Sequence, residues 1–452
     1  MTHVDRGGTR TIAEFLATLS ARTLPPAVLD MARLCLADWL GVALGAADEP
    51  AARIVRDTAL SWSNAGASTL LLGGAAAAPV AALCNGTLAH CLDFDDTYVK
   101  AVVHISAPVW AATLAVGEDV GASESQMLTA YIGGFEAAAR AGMGLGELVT
   151  ARGWHGTGVF GRIGAAAAAG VLLKLDIAAT VNALGTAATQ AGGLTASFGT
   201  MAKPFHAGKA AMDGVIAAQL ASRGFTAAQH VLDAGGGLDS ALIQDRCATL
   251  QAPDFSHWEI LDNSFKPYAA CHLTHPAIDA AKAARVTTPN VANATSVEAD
   301  VGALALQVTG CKSGTPATGL EAKFDLKYCI ALALHGQPLS AAAFAEPWRC
   351  NPAVAATAAR IKATAAPDLG FASARLRVGG ETQKQFDVAF ARGHPGNPLD
   401  WNDMQEKFLG LLPPSADGQA LFERLRLFGD RHANSEPLLV QARSLLATPS
   451  NH

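Results

Sequence analysis

Between His90 and Pro108 the chain reads HCLDFDDTYVKAVVHISAP, with Asp93, Asp95 and Asp96 inside four positions, His90 ahead of them and His104 behind. Carboxylates, imidazoles and a threonine hydroxyl at such spacing are the side chains of general acid–base chemistry. A helical reading places His90, Asp93, Thr97 and Lys100 on one face, with Asp96 beside them and Asp95 pointing away. The plainer reading is a helix end whose aspartates cap and meet water. The apolar flanks NGTLAHCL and AVVHISAPVWAATLAV argue against it, because buried carboxylates are costly unless paired. An acidic cluster also fits the magnesium–diphosphate sites of isoprenoid synthases. Those need oxygen ligands at one-turn spacing and a second acidic motif on a facing helix; neither is found, so no metal is expected.

Three further motifs offer cations and donors. GWHGTGVFGRIGAAAAAG carries His155 and Thr157 in a glycine-rich turn that opens a helix near Gly161, where free N–H groups favour an anion. MAKPFHAGKAAMDG sets Lys203 before a proline suited to the first helical position, with His206 and Lys209 three residues apart. A lysine among Met201, Phe205 and small residues sits at a buried cleft and seeks an anion. SFKPYAACHLTHPAID repeats the arrangement with Lys266, His272 and His275, and His275 serves equally well as part of a helix cap. Together with His104, these segments supply several cations to one negatively charged ligand.

The elements that must hold these groups are mostly helical. Segments such as PAVLDMARLCLADWLGVALG, ESQMLTAYIGGFEAAARAG and KAAMDGVIAAQLASRG space apolar residues by three and four, and no sustained alternation appears before Cys271, so a sheet there is improbable. After Lys266 the texture changes. SVEADVGALALQVTG, SARLRVGG and TQKQFDVAFARG read as strands, the last two joined at Gly379 and Gly380, with helices around AKFDLKYCIALALHG and NPAVAATAARIKAT. The pattern returns to helix at LDWNDMQEKFLGLL. The expected fold is therefore mainly α: an all-α domain over residues 1–267, an α+β lid over 268–398, and residues 399–452 packing back on the first part.

Composition narrows the function classes. The 452 residues are 50% hydrophobic and 16% charged, with net charge −6 and no basic runs interleaved with aromatics, which excludes a nucleic-acid partner and describes a soluble enzyme. The run Ile177 to Ala202 is long enough to cross a bilayer, but its polar residues and the Gly192–Gly193 pair make it a buried helix and turn, so no membrane is involved. The amino terminus has no secretory core, and the eight cysteines show no C-x-x-C spacing; a cytoplasmic protein with reduced thiols is expected.

The motifs NGTLAHCLDFDDT with HISAP, WHGTGVFGRIGAAAAAG, KPFHAGKAAMDGVIAAQLASRGFT, KPYAACHLTHPAIDAA and AKFDLKYCIALAL occur in the order in which the MmgE/PrpD (2-methylcitrate dehydratase-like) family carries them, and the resemblance covers nearly the whole chain. That family includes cis-aconitate decarboxylase and iminodisuccinate epimerase. The resemblance implies a large all-α domain formed by both chain ends, an inserted lid, a homodimer, and a site between the domains that uses no cofactor. It implies that Asp93, Thr97, His104, His155, Lys203 and Lys266 line the pocket, and that a small di- or tricarboxylate is the substrate. In this chain Tyr98, Lys100 and Ile105 depart from the family pattern and the loop is about one residue longer, while Lys312 would add a positive charge from the lid.

The family's reactions share a carbanion next to a carboxylate, whose charge preorganised cations must neutralise. Lys203 and Lys266 take that task, Asp93 and His104 are the acid and base in an order left open, and Thr97, His155, Thr157, His206, Lys209 and His275 are substrate-binding. The first reading is a 2-methylcitrate dehydratase-like hydro-lyase. Beside it stand a decarboxylase or epimerase using the same groups, a non-catalytic carboxylate-binding protein, and a metal-dependent isoprenoid enzyme.

Overall fold

The computed structural model describes residues 8–62, 65–233, 237–244, 253–288, 290–310, 315–379, 383–413, 415–430 and 436–447. The helical body is centred on Ala78–His90, Ser106–Asp119, Glu124–Gly142, Gly156–Leu172 and Ala202–Ala221, which pack against one another. Their alanine and glycine content sets how closely they approach. A Cβ on Gly208 would stand 2.3 Å from the Leu83 carbonyl oxygen, so the 78–90 and 202–221 helices touch backbone to backbone. This contact brings the carboxyl end of one, His90, to the amino end of the other, Lys203. Gly134 and Gly164 make a similar crossing between the 124–142 and 156–172 helices.

Caps fix where several helices begin. Ser123 and Gln126 form a reciprocal capping box ahead of Glu124–Gly142, and Asp176 caps Ile177–Ala188, which ends before the turn at Gly192–Gly193 as expected. Pro26 occupies the first turn of Pro26–Gly45, the buried helix against which Trp401–Gly410 and Ala416–Arg426 pack. Among the described residues no helix is long and apolar enough to cross a membrane.

The α+β part holds a sheet in the order 361–365, 296–301, 374–379, 383–388. Ile361–Ala365 runs parallel to Ser296–Val301 and the other pairs are antiparallel, with Ala299 opposite Leu376. Ala374, Leu376 and Val378 alternate inward, and helix His275–Thr287 packs on this strand and on Gln383–Val388. The strands expected from SARLRVGG and TQKQFDVAFARG are there; Gly380 of their turn lies outside the described residues.

Four local expectations are corrected. Of SVEADVGALALQVTG, read as a strand, only Ser296–Val301 is one, and residues 303–310 are helical. IKAT, read as the end of a helix, forms strand 361–365, because Ile361 gains a paired neighbour in Val297 once helix Pro352–Arg360 has ended. A short ribbon, Ser68–Thr69 against Ala75–Ala76, occurs in the part where no sheet was expected; two-residue strands leave no alternation to detect. The stretch after His90 is not helical, and its cause belongs to the site. Cys35, Cys84, Cys91, Cys271, Cys329 and Cys350 are unbridged, while Cys247 and Cys311 lie outside the described residues.

Candidate active site

Helix Ala78–His90 stops because its outgoing chain turns sharply at Asp93, which has φ 52°. An aspartate tolerates this left-handed conformation at a small cost, and here three buried lysines hold it. Lys323 donates to the Leu92 carbonyl at 2.6 Å, Lys266 to that of Asp93 at 2.7 Å, and Lys407 to that of Phe94 at 2.7 Å. Successive carbonyls at a helix end, which would otherwise be unsatisfied inside the protein, are thus each met by a cation from a distant segment.

The turn redirects every side chain in the cluster. Asp93 Oδ1 accepts from Lys203 Nζ at 2.7 Å and from Lys266 Nζ at 3.0 Å, whereas the buried Oδ2 has no hydrogen-bond partner among the described residues. Burial by itself would raise the Asp93 pKa, but Lys203 and Lys266, followed by His104 and His90, outweigh it and hold the carboxyl well below its usual range. Asp95 does not point away. It turns inward, with Oδ2 2.8 Å from His90 Nδ1 and 3.2 Å from His104 Nδ1. Asp96 leaves the cluster and bonds to Ser106 and Asn263, and its backbone N–H donates to Asp38. Lys100 is likewise off the site, paired with Glu259 at 2.9 Å and Asp262 at 2.6 Å, because the chain between them is not the helix that would have aligned it.

A cavity of about 50 Å³ opens beside Asp93, between the helical body and the α+β part. Its wall includes Asp93, Thr97, His104, His155 and Lys203 from the body, and Cys271, His272, Val308, Phe324 and Phe371 from the other side. Lys266 lies just behind this wall with its side chain fully buried. Phe198 and Phe324 flank the Lys203 ammonium at 5.6 and 5.5 Å, so part of its charge faces aromatic rings instead of water.

His104 reaches the wall despite the departure of its loop. Tyr98 is buried and donates to Glu259, and the His104 backbone N–H donates to Thr157 Oγ1 at 3.1 Å, which anchors the loop at both ends. Thr157 therefore supports the site from behind the wall. His155 stands at the start of helix Gly156–Leu172, with its Nδ1 3.0 Å from Nδ1 of the half-buried His206. Burial, and then the nearby Lys203, holds His155 well below the ordinary histidine range. Burial likewise lowers His104 and takes His206 down to about 4 and His90 to about 3, so the imidazoles around the cavity are neutral at pH 7.

Four of the six residues expected to bind substrate, Thr157, His206, Lys209 and His275, do not line the cavity. Lys209 pairs with Asp213 one helical turn away, and its distance of four residues made that pairing available without any ligand. His275 is buried behind the wall, with Nε2 3.1 Å from the Ala270 carbonyl and its ring 4.7 Å from that of His272. His272 takes the wall position instead, and its buried Nδ1 is unpartnered among the described residues. Its K-P motif had marked it. Asp95 and His90 belonged to the opening cluster, whereas Val308, Phe324 and Phe371 carry no signal short of tertiary structure. Lys312 lies outside the described residues.

His90, Asp93, Asp95 and His104 are near enough to one another to share a cation. Chemistry argues against a metal there, since two ammonium groups already occupy Asp93 Oδ1 and His90 Nε2 is 2.9 Å from Lys203 Nζ. The arrangement instead pairs two cations with a small cavity walled by neutral histidines, which suits a carboxylate-bearing ligand.

Comparison with known proteins agrees with this chemistry. A family model described as the MmgE/PrpD N-terminal domain matches residues 10–251, and one described as the MmgE/PrpD C-terminal domain matches residues 268–426. A cis-aconitate decarboxylase of Aspergillus terreus is 26% identical over 367 residues, covering 75% of this chain and 74% of that protein. The cis-aconitate decarboxylase of Homo sapiens is 28% identical over 73% of this chain and 71% of its own length. That of Mus musculus is 30% identical over 61% of this chain and 58% of its own.

Proposed function

The chain belongs to the MmgE/PrpD family, and on that premise we propose that it is a cofactor-independent lyase acting on a small di- or tricarboxylate through an α-carbanion. The observation that carries the reading is the convergence of Lys203 and Lys266 on one oxygen of Asp93 at the wall of a small cavity. Two fixed cations offset the negative charge that builds on a substrate carboxylate as the carbanion forms.

His104 is the group suited to proton transfer: its pKa is lowered by burial, so it is unprotonated at neutral pH and lines the cavity. Asp93, held ionised between two lysines, acts as their anchor. In a decarboxylation the bond to the leaving carboxylate breaks, its electron pair stays on carbon, CO2 departs and a proton is added to that carbon. In a dehydration a base removes the α-proton and an acid protonates the departing hydroxyl. Thr97, His155 and His272 face the same space and serve to hold the substrate's remaining oxygens.

Decarboxylation of a cis-aconitate-like acid is the favoured reaction, supported by the chain's similarity to cis-aconitate decarboxylases. Dehydration of a 2-methylcitrate-like acid is the second reading, and epimerisation of an iminodisuccinate-like acid needs only the same proton acceptor and donor. Purified protein incubated with cis-aconitate, 2-methylcitrate and iminodisuccinate, with products followed by NMR, separates them. Turnover of none would leave carboxylate binding without chemistry, in which case citrate-like ligands raise the melting temperature and Lys203→Ala abolishes that shift.

The reading extends to a cytoplasmic homodimer with a helical body over 1–267 and 399–452 and a lid over 268–398. Met201 and Phe205, exposed and one helical turn apart, offer apolar surface for a second copy. Light scattering at twice the chain mass would support the dimer, and the single-chain mass would refute it.

A further inference from the structure

Asp95 is fully buried, and both of its oxygens face imidazole nitrogens. Nδ1 of His90 lies 2.9 Å from Oδ1 and 2.8 Å from Oδ2, while Nδ1 of His104 lies 3.2 Å from Oδ2. Burial would raise the Asp95 pKa, but His90 and then His104, through the hydrogen-bond donation that neutral rings still provide, hold the carboxyl well below its usual range. An ionised carboxylate only accepts hydrogen bonds. His90 Nδ1 must then carry the hydrogen; His104 Nδ1, 3.2 Å from Asp95 Oδ2 and 3.5 Å from the Thr97 hydroxyl, is assigned its hydrogen from the nearer carboxylate, which leaves each Nε2 bare.

The two bare nitrogens face different partners. Nε2 of His90 is 2.9 Å from Lys203 Nζ and accepts one of its hydrogens, which helps aim the ammonium at Asp93 and the cavity. Nε2 of His104, on the ring that lines the cavity, stands 3.7 Å from Asp93 Oδ1. With its Nδ1 proton committed to Asp95, that nitrogen is a proton acceptor directed toward the substrate space.

We propose that Asp95 is a positioning residue that sets the tautomers of two histidines at once, aiming Lys203 through His90 and making His104 the proton acceptor. Its consequence for turnover rests on the lyase reading; the tautomers themselves do not. The same logic operates where an aspartate orients a catalytic histidine in hydrolases, but here one carboxylate serves two rings. Asparagine cannot replace it. Both Asp95 oxygens lie within 2.9 Å of His90 Nδ1, so either orientation of the amide sets an NH2 group against that N–H. His90 then either keeps its Nδ1 proton against that NH2 group or moves it to Nε2, where it meets the hydrogens of Lys203; both disturb the contact that aims the ammonium.

Histidine-selective 15N NMR on the full chain, with His90→Gln and His104→Gln used to assign the signals, tests this directly. Both wild-type rings should be protonated on Nδ1 and bare on Nε2, and Asp95→Asn should shift the tautomer balance of these rings toward Nε2. With the acid that the protein turns over, the same variant should lose kcat by on the order of 10²–10⁴-fold at nearly unchanged KM. Wild-type rings protonated on Nε2 would overturn the proposal, as would Asp95→Asn with unaltered tautomers or unaltered kcat. The wild-type spectrum decides the point even if the variant does not fold. It also needs no substrate, so failure to find a carboxylate substrate would sink the lyase reading and leave the tautomer assignment standing or falling by itself.

Discussion

The Lys203 ammonium lies 2.7 Å from Oδ1 of Asp93, and Lys266 approaches the same oxygen at 3.0 Å, yet the two lysines differ in what else they hold. Lys266 also donates to the Asp93 carbonyl and has no exposed side-chain surface, so it fixes the turn as well as the charge. Lys203→Ala should lower kcat by about 10²–10³-fold and leave a folded protein. Lys266→Ala leaves the Asp93 carbonyl unpaired and its carboxylate with Lys203 alone inside the protein, and should also cost about 3–5 kcal/mol of stability. Denaturant titrations of both variants beside kcat measurements check the contrast; equal loss of stability would contradict it.

Activity should survive an excess of chelator. Any cation entering among His90, Asp93, Asp95 and His104 would lie against the two ammonium groups already on Asp93 Oδ1 and be repelled by them. Dialysis against EDTA followed by assay, with metal add-back, is the measurement. Loss of activity restored by a divalent ion would reverse the assignment of the lysines as the charge-neutralising groups.

Binding of a polycarboxylate at pH 7 should take up protons. His155 and His272 are held well below the ordinary histidine range by burial and by neighbouring cations, and burial lowers His104 as well, so all three are neutral in the empty site. An anion placed against them favours their charged forms and raises their pKa values. Calorimetric titration in buffers of differing ionisation enthalpy should show uptake on the order of one proton per site. Binding enthalpies that do not vary with the buffer would refute this.

Asp96 gives stability a distinctive pH dependence. Burial, and then the charge of Asp38, pushes its carboxyl up to about 7, only partly countered by the hydrogen bonds from Ser106 and Asn263. A raised folded-state pKa means that the unfolded chain releases this proton first, so the contribution to stability is full below about pH 4 and is lost as pH rises toward 7. Asp96→Asn removes that loss. Relative to the natural chain, the variant should gain about 2 kcal/mol between pH 5 and pH 7 in denaturant titrations. A difference that does not change with pH would show that Asp96 is ionised throughout.

The helical body, the α+β segment and most of the charged groups are legible in the chain itself, because apolar spacing and capping act over a few residues. The K-P pairs at Lys203 and Lys266, the glycine turn before His155, and His104 all mark the cavity before any contact is known. Local pattern also suggests a helix through Asp93, and there it fails. The chain turns at Asp93 because Lys323, Lys266 and Lys407 arrive from as far as 313 residues away to take three successive carbonyls. No local signal encodes that convergence, and it alone turns Asp95 inward, sends Asp96 to Ser106 and leaves Lys100 with Glu259. The residue types that could do the chemistry were therefore determined by sequence, while which of three neighbouring aspartates meets which partner was decided by tertiary structure, since buried charges settle only where distant counter-charges pack against them.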